Sequence, residues 1–120
     1  MKIVYVLLGI LSIVVSGCTT QATGNLVVEN PGNQDAFAQC LTEKDFVMYG
    51  TEWCSHCQNQ KSLFGDSFQY IEFVDCDENK EECQKAGVTG YPTWIVAGNQ
   101  KYPGEMPLSR LAEISGCELA

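Results

Sequence analysis

The sequence predicts an α/β fold, and three observations carry that reading. Short apolar runs with strand character, residues 46–49 and 70–74, alternate with segments whose apolar residues recur at helical spacing. Glycines punctuate the boundaries at Gly50, Gly65, Gly87 and Gly116. Residues 93–97 and 100–102 flank Gly98-Asn99, the pattern of a hairpin. A chain of 120 residues is enough for one small domain.

The elements follow in order. Residues 19–33 are rich in Thr, Gln, Gly and Asn, with Pro31-Gly32 near the end, and read as a tether that includes a short strand at Val27-Val28. Residues 35–43 place Phe37, Cys40 and Leu41 on one helical face. Residues 46–49 form a buried strand ending at Gly50, and residues 55–64 a helix stopped by Gly65. A strand over 70–74 precedes a helix over 79–86 that closes at Gly87. After the hairpin, residues 107–115 put Leu108, Leu111 and Ile114 on one face of a last helix, capped by Gly116. No internal repeat or low-complexity tract interrupts this order.

The amino terminus has the form of an export signal. Lys2 precedes an almost unbroken apolar run over residues 3–15, shorter than the ~20 residues a membrane-spanning helix needs. Val15-Ser16-Gly17-Cys18 then places small residues before a cysteine and resembles a bacterial lipobox, with Val15 where Leu is commoner. The expected organisation is a lipoprotein-type signal over 1–17, lipidation at Cys18, a flexible tether over 18–33 and one domain over 34–120. An uncleaved anchor and ordinary secretion are the alternatives. All three place the domain outside the cytoplasm.

Charge excludes one class of partner. The net charge of -8 and pI near 4.4 would repel a phosphate backbone, so nucleic acid is not expected. The acidic residues are spread along the chain and read as a well-solvated surface.

Trp53-Cys54-Ser55-His56-Cys57 carries the chemistry. If a helix begins here, Cys54 lies at its amino end, where free backbone N–H groups and the helix dipole stabilise a thiolate. Cys57 lies one turn in, on the same side, within reach of a disulfide. The same spacing suits half of a zinc site, but His56 is the only histidine and the other cysteines are scattered, so no metal is expected. Downstream, Gly90-Tyr91-Pro92-Thr93 precedes an apolar strand. Its Tyr91-Pro92 bond is a candidate cis peptide that would leave the preceding backbone free to pair with a bound peptide.

Trp53-Cys54-x-x-Cys57 followed by Tyr91-Pro92-Thr93 resembles the thioredoxin superfamily. With Phe37 to Leu41, Gln58, Gln60-Lys61, Leu63-Phe64-Gly65 and Trp94, the set is similar to the thioredoxin-like domain associated with bacterial vitamin K epoxide reductase homologues. The resemblance runs from about residue 36 to Cys117. It implies a thioredoxin-like fold, a central mixed sheet flanked by helices, and thiol–disulfide exchange with no cofactor beyond the Cys54–Cys57 pair. Cys54 would be the attacking or attacked sulfur and Cys57 the resolving one. Pro92 would sit against the pair and orient substrate backbone through Tyr91, and Trp53 would shield it or simply pack. His56, between the thiols in sequence, would favour the Cys54 thiolate and hence the reduced form, making the protein a stronger oxidant.

The sequence departs from the family pattern at Met48, where redox members often bury a carboxylate six residues before the first cysteine. Proton transfer to and from Cys57 would then use water or His56. Ser55-His56 also replaces the Gly-Pro of reducing thioredoxins, and both changes favour oxidation.

The chain has seven cysteines. Assigning Cys18 to lipid leaves six, which in general allow fifteen connectivities. With Cys54–Cys57 as one pair, the expected staples are Cys76–Cys83, across the loop leaving a central strand, and Cys40–Cys117, tying the first helix to the last. The expected function is a membrane-tethered disulfide donor to exported proteins, reoxidised by a quinone-linked membrane protein of the vitamin K epoxide reductase type. The alternatives are an extracytoplasmic reductase or isomerase, and a non-catalytic lipoprotein interaction domain in which Cys54–Cys57 is only structural.

Overall fold

The first strand, β1 (Val47–Gly50), alternates half-buried and buried residues, with Met48 and Gly50 buried. This is the period-two pattern of a strand with one face on the core. The computed structural model describes residues 31–119. In it β1 pairs in parallel with β2 (Glu72–Asp75) and antiparallel with β3 (Thr93–Val96). The last strand, β4 (Gln100–Pro103), pairs antiparallel with β3. The order β2-β1-β3-β4 makes a mixed four-stranded sheet in which Met48 lies opposite Phe73 on one side and Trp94 on the other. This is the α/β, thioredoxin-like architecture expected from the sequence, with helices flanking a central mixed sheet.

A parallel pair cannot be joined by a tight turn and needs a crossover. Here the crossover is α2 (Ser55–Phe64) followed by a 3₁₀ helix (Gly65–Tyr70). Gly65 ends α2 as expected, at φ 55, but the chain then tightens instead of extending. β2 therefore begins at Glu72 rather than at residue 70. The remaining helices are α1 (Pro31–Glu43), α3 (Lys80–Ala86) and α4 (Leu108–Ser115). α1 starts at Pro31 rather than residue 35 and takes in the end of the segment read as tether; proline is favoured in a first helical turn, where its missing N–H costs nothing. The expected signal segment, Cys18 and the Val27-Val28 strand lie outside the described residues. No helix among the described residues is long and apolar enough to cross a membrane.

The core sits where α1, α2 and α4 meet the sheet. Phe37, Leu41, Met48, Phe64, Trp94 and Leu111 are all essentially without solvent contact. Phe64 is the centre of this packing, with its ring centroid 6.2 Å from Phe37, 6.1 Å from Trp94 and 6.1 Å from Phe68. Truncating such a residue to alanine typically costs ~3–5 kcal/mol, so α2 is held firmly along the sheet. That matters because α2 carries both Cys54, as its cap, and Cys57. Among the described residues two disulfides tie the periphery: Cys40–Cys117 joins α1 to the segment after α4, and Cys76–Cys83 joins the end of β2 to α3.

Candidate active site

β1 ends at Gly50, the chain turns through Thr51, Glu52 and Trp53, and α2 begins. Cys54 has extended backbone (φ -71°, ψ 120°) and acts as the cap, its Sγ accepting the Cys57 N–H at 3.2 Å. The first amides of a helix have no partner within it, so a sulfur in this position satisfies a donor that would otherwise be orphaned. Cys54 and Cys57 both carry free thiols. Their accessibility differs: Cys54 is 7% exposed and Cys57 0%, so Cys54 offers the reachable sulfur. Cys57 is packed against β1 at Gly50, where a Cβ would stand 2.7 Å from its Sγ. Burial first, and then the Cys54 sulfur beside it, push the Cys57 thiol up to about 12, against smaller opposing effects of the Thr51 backbone and the Lys61 charge.

The loop before β3 closes the other side. The Tyr91-Pro92 peptide is cis, and the Cys54 thiol faces the Tyr91 carbonyl oxygen at 3.7 Å. Gly104 N–H donates to the Pro92 carbonyl at 2.7 Å and Thr93 Oγ1 to the Gly90 carbonyl at 2.8 Å, fixing the loop at both ends. Trp53 is 68% exposed and is not part of the core. Its indole N–H donates to Asp77 Oδ2 at 2.6 Å, and its ring meets Tyr91 edge-on with centroids 6.3 Å apart. Trp53 and Tyr91 thus form an aromatic wall next to Cys54.

His56 stands elsewhere than its place in the sequence suggested. Successive helical residues point about 100° apart, so His56 cannot share a face with Cys57. Its Nδ1 lies 2.8 Å from Glu105 Oε1, and its side chain is 70% exposed. Asn59 Nδ2 donates to the same oxygen at 3.0 Å. These contacts, His56 first, hold the Glu105 carboxyl below its usual range. His56 is thus turned outward and paired with Glu105, on a different face of α2 from buried Cys57.

Met48, at the position where a carboxylate was looked for, is fully buried among apolar side chains. Gln60, by contrast, is polar and equally buried. It donates to the Met106 carbonyl at 3.0 Å and accepts from the Met106 N–H at 2.7 Å and the Trp94 indole at 3.2 Å. It pins the loop before α4 to α2. Cys57, Gln60 and Phe64 make one buried stripe along α2, so a glutamine at a core-facing position was the available signal. Glu105, Asp77 and Glu52 had no comparable signal. Among the described residues, no three His, Cys, Asp or Glu side chains cluster closely enough to hold a metal ion.

A sulfur capping a helix in a residue that keeps slight exposure, a fully buried sulfur one turn later and a proline-loop carbonyl against the first make a dithiol site built for disulfide exchange. The Thioredoxin family profile matches residues 28–114, and the chain belongs to the thioredoxin family. Among its relatives, the thiol-disulfide oxidoreductase LTO1 of Arabidopsis thaliana is 37% identical over 93 residues, covering 70% of this chain and 24% of that protein. Protein disulfide isomerase-like 2-2 of Oryza sativa subsp. japonica is 38% identical over 85 residues, covering 60% of this chain and 23% of the relative. The chain thus spans about a quarter of the length of these relatives. Fasciola hepatica thioredoxin aligns in structure over 65% of this chain and 88% of its own, at 22% identity and a TM-score of 0.46.

Proposed function

We propose that this chain is an extracytoplasmic thiol–disulfide oxidoreductase that donates disulfides to exported proteins. The observation that carries the exchange chemistry is the asymmetry of the pair, a Cys54 sulfur capping α2 above a fully buried Cys57, and the donating direction rests on Ser55-His56 and Met48. In the oxidising direction a substrate thiolate attacks Cys54 of the Cys54–Cys57 disulfide. Cys57 leaves and takes up a proton. A second substrate thiolate then attacks the substrate sulfur of the mixed disulfide and expels Cys54 as a thiolate. The substrate loses two electrons and the pair gains them. Trp53 and Tyr91 hold the substrate chain beside Cys54, with the Tyr91-Pro92 segment orienting its backbone.

The setting of this activity rests on sequence features. Lys2, the apolar run over 3–15 and Val15-Ser16-Gly17-Cys18 support export and lipidation at Cys18. The resemblance to domains associated with vitamin K epoxide reductase homologues supports a quinone-linked membrane partner that reoxidises the pair. Labelling cells with a fatty-acid analogue tests the anchor, which Cys18→Ala should abolish.

Relatives named as protein disulfide isomerases favour a second reading, in which the pair rearranges wrong disulfides. A resolving thiol that stays protonated lengthens the life of the mixed disulfide, which rearrangement needs. Redox equilibrium with glutathione separates the directions. A potential of about -120 mV supports donation, one of about -180 mV rearrangement, and one of about -270 mV turns the assignment to reduction.

A further inference from the structure

The site has a cation that the exchange chemistry above leaves unused. Lys61 follows Cys57 by one turn of α2, on the same face. Its Nζ is not in open solvent: the side chain is 20% exposed, 3.0 Å from Glu52 Oε2, and lies 4.1 Å from the Phe73 ring centroid and 5.4 Å from that of Phe68. An ammonium over two aromatic faces is held by the negative charge of the rings as well as by its carboxylate partner. Glu52 in turn is fixed through its carbonyl, which accepts from Gln58 Nε2 at 2.9 Å.

The ring under Lys61 also borders Cys57. At the place a Cβ on Gly50 would take, Cys57 Sγ stands 2.7 Å away and Phe73 Cε2 3.3 Å. The sheet side of this compartment is formed by Gly50 and Phe73, with Met48 buried beside them on β1 and Asp75, the partner of Gly50 across the parallel pair, accepting the Asp77 N–H at 2.9 Å. Along α2 the cation nearest in sequence to Cys57 is Lys61, one turn on and 3.0 Å from Glu52 Oε2.

We propose that Lys61, held by Glu52, is a positioning residue that stabilises the Cys57 thiolate during exchange. The inference rests on the redox reading of the Cys54–Cys57 pair. In the resolving step the Cys57 proton passes to water, the thiolate attacks Cys54 Sγ, the bond from Cys54 to the substrate sulfur breaks, and the substrate leaves as a thiolate that water protonates. In the opposite direction Cys57 is the leaving group. The same cation then steadies the charge it carries away, so both directions speed up equally.

The test uses the reduced protein and 5,5′-dithiobis(2-nitrobenzoate), which releases one coloured thiolate when Cys54 attacks and a second when Cys57 resolves. The two phases are followed by stopped flow from pH 6 to 9 for the wild type, Lys61→Met, Lys61→Arg and Glu52→Gln. Lys61→Met keeps the apolar stem and removes the charge, and should slow the second phase about tenfold, displacing its pH profile upward. Its first phase should be unchanged. Lys61→Arg should follow the wild type, and Glu52→Gln should fall between. An unmoved second phase, an equal slowing of both phases, or Lys61→Arg behaving as Lys61→Met would overturn the proposal and leave Lys61 as a cover for Phe68 and Phe73. A missing first phase in the wild type would instead overturn the redox reading itself.

Discussion

Gly50 and Cys57 touch so closely that a single methyl group on the glycine would stand 2.7 Å from the cysteine sulfur. The contact sets how deep the second thiol lies. Gly50→Ala must therefore move α2 or twist the Cys57 side chain, and overpacking of this kind costs ~1–3 kcal/mol. Urea unfolding should report that loss, and the release of a substrate thiol by Cys57 should slow while attack by Cys54 is retained. A variant with unaltered stability and kinetics would show that the contact relaxes freely.

The Gln60 side chain predicts a cost out of proportion to its size. Gln60→Leu is close in volume but strands the Met106 N–H and carbonyl and the Trp94 indole N–H. One unpaired buried group costs ~1–3 kcal/mol, so a loss of at least about 2 kcal/mol is expected. For a domain of this size that lowers Tm by roughly 8–16 °C, measurable by calorimetry.

Burial of Cys57 makes the stability of the reduced protein pH-dependent. Its folded value of about 12 lies above the ordinary thiol value of 9.0. The raised value means that its contribution is fully present below pH 9 and is lost as pH rises toward 12. Reduced wild type should thus lose stability relative to Cys57→Ala above pH 9, at up to ~1.4 kcal/mol per pH unit, and match its trend from pH 6 to 8. Paired urea titrations at pH 7, 9 and 10 check the sign.

The two structural disulfides should differ in weight. Cys40–Cys117 closes a separation of 77 residues and Cys76–Cys83 one of 7. The chain-entropy argument gives ~4–5 kcal/mol for the first and ~2–3 kcal/mol for the second. Replacing Cys40 and Cys117 together by alanine should lower the unfolding midpoint more than replacing Cys76 and Cys83. The second change should in addition loosen Asp77 and with it the Trp53 indole, visible as altered tryptophan fluorescence.

What could be read from the sequence was local. Cys54 and Cys57 declared themselves by spacing, Gly65, Gly87 and Gly116 marked helix ends, and Gly98-Asn99 marked the hairpin. The 3₁₀ turn of Gly65–Tyr70 was missed because only polar Ser67 and half-buried Phe68 within it turn inward, too little to show an apolar period. The polar partners were missed for a different reason. His56 with Glu105, Gln60 with Met106 and Trp53 with Asp77 are 49, 46 and 24 residues apart, joined only once the sheet has formed. His56 shows the consequence most clearly: adjacency to Cys57 in sequence meant different faces of a helix.

The exchange role of Cys54 and Cys57 is tested most directly by graded reduction of the oxidised protein followed by alkylation and peptide mass spectrometry. Mild reductant should open one bond, labelling Cys54 first and Cys57 slowly, while Cys40, Cys76, Cys83 and Cys117 stay protected. If all three bonds resist the reductant equally, the Cys54–Cys57 pair is a staple like the other two, and the exchange account is wrong.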